Sequence, residues 1–139
     1  MSEDKKKEIY ERLKDILLKL ELKYLSDDEK LIIHIQFGPS SNIRIPVQIS
    51  ISIRMNGRGI HFSSYLKEKK ANETYNRYLL EENGKYTFVK WAINKNLDMV
   101  CTVDLFADSH NLTQKTIRSI LGLIVSSHNR INDRIDDIG

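Results

Sequence analysis

The sequence predicts a single α+β domain, residues 1–139, with element order α-β-β-β-α-β-β-α and a twisted antiparallel sheet packed by helices. Three observations carry that expectation. Apolar residues recur at helical spacing in three segments, they alternate with polar residues in five others, and no linker, repeat or low-complexity run separates them. A chain of 139 residues is long enough to bury about two thirds of the surface its unfolded form exposes, so no covalent staple is needed.

The first helix is expected from about Glu3 to Lys23, where Ile9, Leu13, Ile16, Leu17 and Leu20 share one face opposite Glu8, Glu11, Lys14 and Lys19. Ser26, Asp27 and Asp28 break that period. Leu31, Ile33, Ile35 and Phe37 then alternate as a strand that stops at Gly38 and Pro39, and Pro46 can only open the next strand because it has no N–H for the ladder. Val47, Ile49, Ile51, Ile53 and Met55 alternate with Gln48, Ser50, Ser52 and Arg54, which predicts a strand with one apolar and one wet face. Asn56 and Gly57 both tolerate positive φ, so a tight hairpin into Ile60, Phe62 and Ser64 follows.

Helical spacing returns from about Lys69 to Glu82 through Ala71, Tyr75, Tyr78 and Leu79, with Asn83 and Gly84 as its stop. Lys85 to Asn94 and Leu97 to Phe106 read as a second hairpin around Lys95 and Asn96. Thr113 is placed to cap a last helix carrying Ile117, Ile120, Leu121, Ile124, Ile131 and Ile135 in one stripe.

That second hairpin differs from the first strands. Val89, Trp91 and Ile93, with Leu97, Met99, Cys101, Val103 and Leu105, supply one apolar face, while Tyr86, Phe88, Ala92, Val100 and Phe106 make the other face apolar too. A ribbon apolar on both sides needs two covers, so either a helix of this chain or another molecule must lie over the second face. Tyr86, Phe88, Val100 and Phe106 are therefore the candidate protein-interaction residues.

Composition narrows the function classes. One cysteine, Cys101, permits no internal disulfide and suits a reducing compartment. Residues 1–7 are polar and charged, with no signal-like or membrane-spanning stretch behind them, which leads to the expectation of a cytoplasmic protein without membrane contact. The net charge of +3 is spread among alternating acids and bases, a pattern of solvated surface more than of a nucleic-acid footprint.

The polar motifs have structural explanations. His34, His61, His110 and His128 lack the helical i, i+4 spacing and the Cys or Glu neighbours that zinc requires, so neither metal nor cofactor is expected. Cys101 alternates with Met99 and Val103 and reads as core. Asp108 and His110 lie near serines, but no nucleophile elbow is present. Gly57, Arg58 and Gly59 precede a strand and not a helix, which makes them a turn and not a phosphate cradle. Asp133, Asp136 and Asp137 read as solvated charge near a chain end, and the acceptor patterns at Asn72 and Asn111 matter only in a secreted protein.

From the first helix to Ile135 the order of elements resembles the YbjN-like proteins and the related class I chaperones of type III secretion. Tyr75-Asn76 and Tyr78-Leu79-Leu80 match the end of that family's middle helix, Gly84-Lys85-Tyr86-Thr87-Phe88 its next strand opening, and Val103-Asp104-Leu105 with Leu112-Thr113 its passage into the last helix. The chain departs from the family at Ala107 to Asn111, where a Pro-containing turn is usual, and in being basic where secretion chaperones are typically acidic. The resemblance implies a non-enzymatic, chaperone-like domain that pairs with itself or holds a protein partner. Two alternatives stand beside it. One is an RNA-binding domain with Lys67, Lys69 and Lys70 at a helix start meeting phosphates, and the other is an enzyme with an unrecognised site.

Overall fold

Six strands form one antiparallel sheet whose two faces are treated very differently by the chain. The computed structural model describes residues 2–54, 59–106 and 112–138. Helix α1 spans Ser2–Lys19, followed by β1 (Leu25–Asp27), β2 (Ile32–Phe37), β3 (Val47–Ile53), β4 (Gly59–Lys70), α2 (Glu73–Lys85), β5 (Lys90–Ile93), β6 (Asp98–Phe106) and α3 (Gln114–Ile138). The sheet order is β1-β2-β3-β4-β6-β5, so β6 and not β5 joins the second hairpin to β4.

The predicted order holds, with the three-residue edge strand β1 added to it. Its residues, Leu25 to Asp27, overlap the Ser26 to Asp28 stretch that breaks the helical period, and a turn follows them. Asp27 accepts a hydrogen bond from the Lys30 N–H at 3.1 Å, and Leu31 takes a left-handed φ of 57° before β2 begins. The Asn56-Gly57 hairpin and the segment from Ala107 to Asn111 lie outside the described residues.

The period-two alternation of β3 places Val47, Ile49 and Ile51 in the core, and the register carries that face through Ile33 and Ile35 on β2, Ile60 and Phe62 on β4, and Met99, Cys101 and Val103 on β6. Over it lie Leu13 and Leu17 of α1 and Ile117, Ile124 and Ile131 of α3, all buried in the same apolar cluster. Thr113 caps α3 by accepting from the Thr116 N–H at 3.2 Å, and Asn72 caps α2 by accepting from the Tyr75 N–H at 2.8 Å.

Helix α2 continues through Gly84 to Lys85 and does not stop at Asn83. Asn83 serves the sheet edge instead. Its Oδ1 accepts from the Trp91 N–H at 2.7 Å and its Nδ2 donates to the Trp91 carbonyl at 2.9 Å, so the outer edge of β5 is closed by a side chain in place of a strand. Because α2 reaches further, β5 is shorter than the Lys85 to Asn94 strand expected, and Tyr86 and Phe88 fall in the connection before it.

β4 also outruns its prediction, reaching Lys70 where a helix was expected from Lys69. Between the pairs Tyr65↔Val100 and Lys70↔Asp98, residues 66–69 stand against Met99 alone, a bulge that bends the strand into α2. The hairpin after β5 closes on Asn94, whose Oδ1 accepts from the N–H groups of Asn96 and Asp98, both at 2.9 Å. Leu97 completes that turn at φ 64° with its side chain exposed, a conformation that costs an L-residue with a branched side chain about 1 kcal/mol. Leu97→Asn should therefore raise stability by about 0.5–1 kcal/mol, read as a higher urea midpoint with an unchanged slope.

Candidate protein-interaction surface

The helices cover one side of the sheet, and on the other side none of the described strand residues is buried. Register places Leu25, His34, Ser50, Ser63, Thr102 and Lys90 in one row across all six strands of this open face. Beside it run Tyr65, Val100 and Ala92, and on the other flank Ile32, Ser52, His61 and Asp104. The wet face expected for β3 is thus a property of the whole sheet. The two-sided ribbon behaves as its pattern implied on one side: Val89, Trp91, Met99, Cys101 and Val103 are buried under the helices. On its second side Ala92 and Phe106 are exposed and Val100 is half-buried.

The four residues singled out from sequence occupy three places. Val100 lies on the open face of β6, half-buried between Tyr65 and Ala92. Phe106 is on the same face at the far end of the strand, opposite Gly59 and 63% exposed. Six positions of extended chain put about 20 Å between them. Phe88 stands in the α2–β5 connection, 73% exposed, and Tyr86 closes α2 with its ring under the Arg130 guanidinium at 3.8 Å. Tyr86 and Phe88 therefore do not share a sheet face with Val100 and Phe106, because the strand to which Tyr86 and Phe88 were assigned begins only at Lys90.

Arg130 is itself held from below. Its Nε donates to Glu82 Oε1 at 2.6 Å, the Ser127 hydroxyl donates to the same oxygen at 3.1 Å, and Trp91 Nε1 donates to Ser127 Oγ at 2.8 Å. This chain of bonds ties α2, α3 and β5 together beneath Tyr86. Sequence spacing missed it because its members lie 36 to 48 positions apart.

Two further clusters carry chemistry-bearing groups. On the open face Asp104 Oδ1 meets His61 Nδ1 at 2.7 Å and accepts from Arg54 at 2.9 Å. Partial burial pushes the Asp104 carboxyl up, but the hydrogen bonds from His61 and Arg54 outweigh it and hold the group below its usual value. Such a pair orients an imidazole; the described partners of His61 are these two side chains, and a triad would require a nucleophile beside it. Beneath the sheet, Cys101 Sγ lies 3.5 Å from His128 Nε2, whose ring packs on Trp91 at 5.1 Å. Burial pushes the Cys101 thiol up to about 12 and the His128 imidazole down to about 4. A neutral thiol against a neutral ring, both sealed from solvent, is a packing contact and not an activated nucleophile. Cys101 is core, as its alternation implied.

The lysines proposed for phosphate contact are not at a helix start. They lie in the bulged end of β4, α2 opens on the acidic Glu73, and Lys70 donates to Asp98 at 2.5 Å across the sheet. The side chain of Lys67 lies outside the described residues. Among the described residues no three His, Cys, Asp or Glu gather as a metal site, and no helix is long and apolar enough to cross a membrane.

A half-covered antiparallel sheet with α1 and α3 on its back and α2 along its β5 edge defines a recognisable class. The arrangement is a YbjN-like, type III secretion chaperone-like α+β fold. The crystal structure of YbjN from E. coli, described there as a candidate transcription regulator, superposes with a TM-score of 0.60 at 13% identity over 88% of this chain and 86% of that one. The Yersinia pestis type III secretion chaperone SycH, solved in complex with a stable fragment of YscM2, does so at 0.59 and 11% identity over 88% of this chain and 98% of its own. No protein-family model and no curated protein sequence matches the chain.

Proposed function

We propose that this chain is a non-enzymatic, chaperone-like interaction module of the cytoplasm that pairs with itself or holds a protein partner through Tyr86, Phe88, Val100 and Phe106. The observation that carries the reading is Phe88, a phenylalanine left 73% exposed in the short connection between α2 and β5. Burying one large apolar side chain is worth about 1.5–3 kcal/mol, so leaving it in water forgoes a sizeable stabilisation unless a partner supplies the cover. The neighbour SycH supports the reading, since the same fold holds a protein fragment there. The open sheet face, with Val100 and Phe106, offers a second contact area on a rigid scaffold.

The test is Phe88→Lys. The unmodified chain is expected to be a dimer by multi-angle light scattering and the variant a monomer with an unchanged circular dichroism spectrum. A dimer that persists in the variant overturns the surface assignment. A variant whose circular dichroism spectrum is lost at room temperature would show that Phe88 supports the fold of the single chain instead. If the unmodified chain is a monomer, self-pairing is excluded and the partner is a different protein.

A further inference from the structure

The open face holds a groove that shares only Val100 with the proposed partner surface. Lys23, Tyr24 and Leu25 form one wall, Tyr65 and Val100 the other, and the floor is built from His34, Gln36, Gln48, Ser50 and Ser63. Its volume is about 480 Å³, within the range of roughly 300–1,000 Å³ that small-molecule sites occupy. The lining is graded along its length. Register sets β1 at one end and β6 at the other, four strand spacings apart, which makes the groove about 19 Å long. The β1–β2 end is lined by Lys23 and His34, the β4–β6 end by Tyr65 and Val100, and no Asp or Glu is among the lining residues.

The floor is fixed in place. His34 Nδ1 bonds Ser50 Oγ at 2.9 Å, which leaves Nε2 as the ring's remaining polar atom. Gln48 Nε2 donates to Gln36 Oε1 at 3.0 Å, and Gln36 donates to the Gly38 carbonyl at 3.2 Å. Beneath these side chains the strand backbones of β2, β3 and β4 are paired with one another, so an extended peptide laid here would find no ladder partners. The geometry and the charge favour a compact ligand instead.

We propose that this groove binds a small amphipathic carboxylate, with its anionic head at Lys23 and His34 and a flat apolar body lying along the floor toward Tyr65 and Val100. Charge complementarity selects the head, and the aromatic walls select the body.

The experiment titrates the isotope-labelled full chain with 2-naphthoate and, separately, with the neutral isostere 2-naphthalenemethanol, following backbone amide shifts. Saturable shifts are expected at Leu25, His34, Ser50, Ser63 and Val100, with the carboxylate bound at least ten-fold more tightly than the alcohol. Lys23→Glu, a change on an exposed connection, should remove that ten-fold preference, and Ser63→Arg should block both ligands while its amide spectrum stays dispersed. Equal affinity for the two ligands, absence of saturable shifts at millimolar concentration, or shifts centred on Leu20, Phe37 and Val125 between α1 and α3 would each overturn the proposal. So would selective displacement of these amides by an acidic peptide with no response to naphthoate. Phe88→Lys should bind naphthoate normally, since Phe88 does not line the groove, which separates this site from the part of the partner surface that Phe88 carries: either can fail without the other.

Discussion

Glu82→Ala should lower the unfolding free energy by about 3 kcal/mol, among the largest losses available from a single polar side chain in this fold. The Glu82 side chain is 7% exposed and its Oε1 receives both Arg130 Nε and the Ser127 hydroxyl. Alanine removes the acceptor and leaves the buried Ser127 hydroxyl, which still accepts from Trp91, with a proton it can no longer donate, which costs about 1–3 kcal/mol. It also leaves a cation without its counter-charge. Breaking a fully buried pair costs about 3–5 kcal/mol, but Arg130 is 34% exposed and water screens it, so the sum falls at the lower end. Glu82→Gln keeps an acceptor oxygen and should cost about 1 kcal/mol, since it loses the charge and not the hydrogen-bonding site. Urea unfolding of the two variants, with unchanged slopes, measures the difference. Glu82 bears on function through Arg130, whose guanidinium covers the Tyr86 ring. The alanine variant should therefore weaken any association that uses Tyr86 even at temperatures where it stays folded.

The period of the apolar residues was enough to read the layers of this fold, because burial on one side of a strand or helix must repeat at 2.0 or 3.6 residues. Val47, Ile49 and Ile51 announced their strand face, and Ile117, Ile124 and Ile131 their helix stripe. What escaped was set by side chains acting across the fold. Asn83 has the local character of a helix stop, yet its amide is consumed by the edge of β5, and α2 runs on past it. Moving that boundary took Tyr86 and Phe88 off the strand, so four residues read as one face are divided between a connection and a sheet. The bulge after Tyr65 was equally illegible, since Leu66 to Ala71 has no period that distinguishes a bent strand end from a helix start. The groove on the open face was missed because polar residues on a strand look alike whether they meet water or a ligand; only the register that joins Leu25 of β1 to Val100 of β6 through three intervening strands assembles it. Phe88 and Phe106 were singled out because they made the second face of the ribbon apolar, and both side chains are exposed in the fold.

Acidification should destabilise the protein through His128, and in a window of its own. The ring lies 2% exposed between Cys101 and Trp91, and burial sets its folded pKa at about 4, below the value of 6.5 it has in an unfolded chain. Above pH 6.5 both states carry a neutral ring, and the full stability is present. As the pH falls from 6.5 toward 4 the unfolded chain takes up a proton that the folded chain refuses, so stability drains away with falling pH, reaching a loss of about 3 kcal/mol once both forms are protonated. The carboxylates held below their ordinary values by hydrogen bonds, Asp28 to Tyr10 and Lys14, Glu81 to Arg134 and Asp98 to Lys70, act later. Their contribution is present above the unfolded carboxylate pKa of about 4 and is lost only below it. Urea unfolding at intervals from pH 7 to pH 4.5 should show the decline in the unmodified chain, and the same series on His128→Gln, which has no proton to gain, should lie flatter by nearly that amount. A His128→Gln profile parallel to the unmodified one would show that the ring is solvated or charged in the folded state. Cys101 would then face a cation, and the packing of α3 over β5 and β6 would have to be redrawn around it.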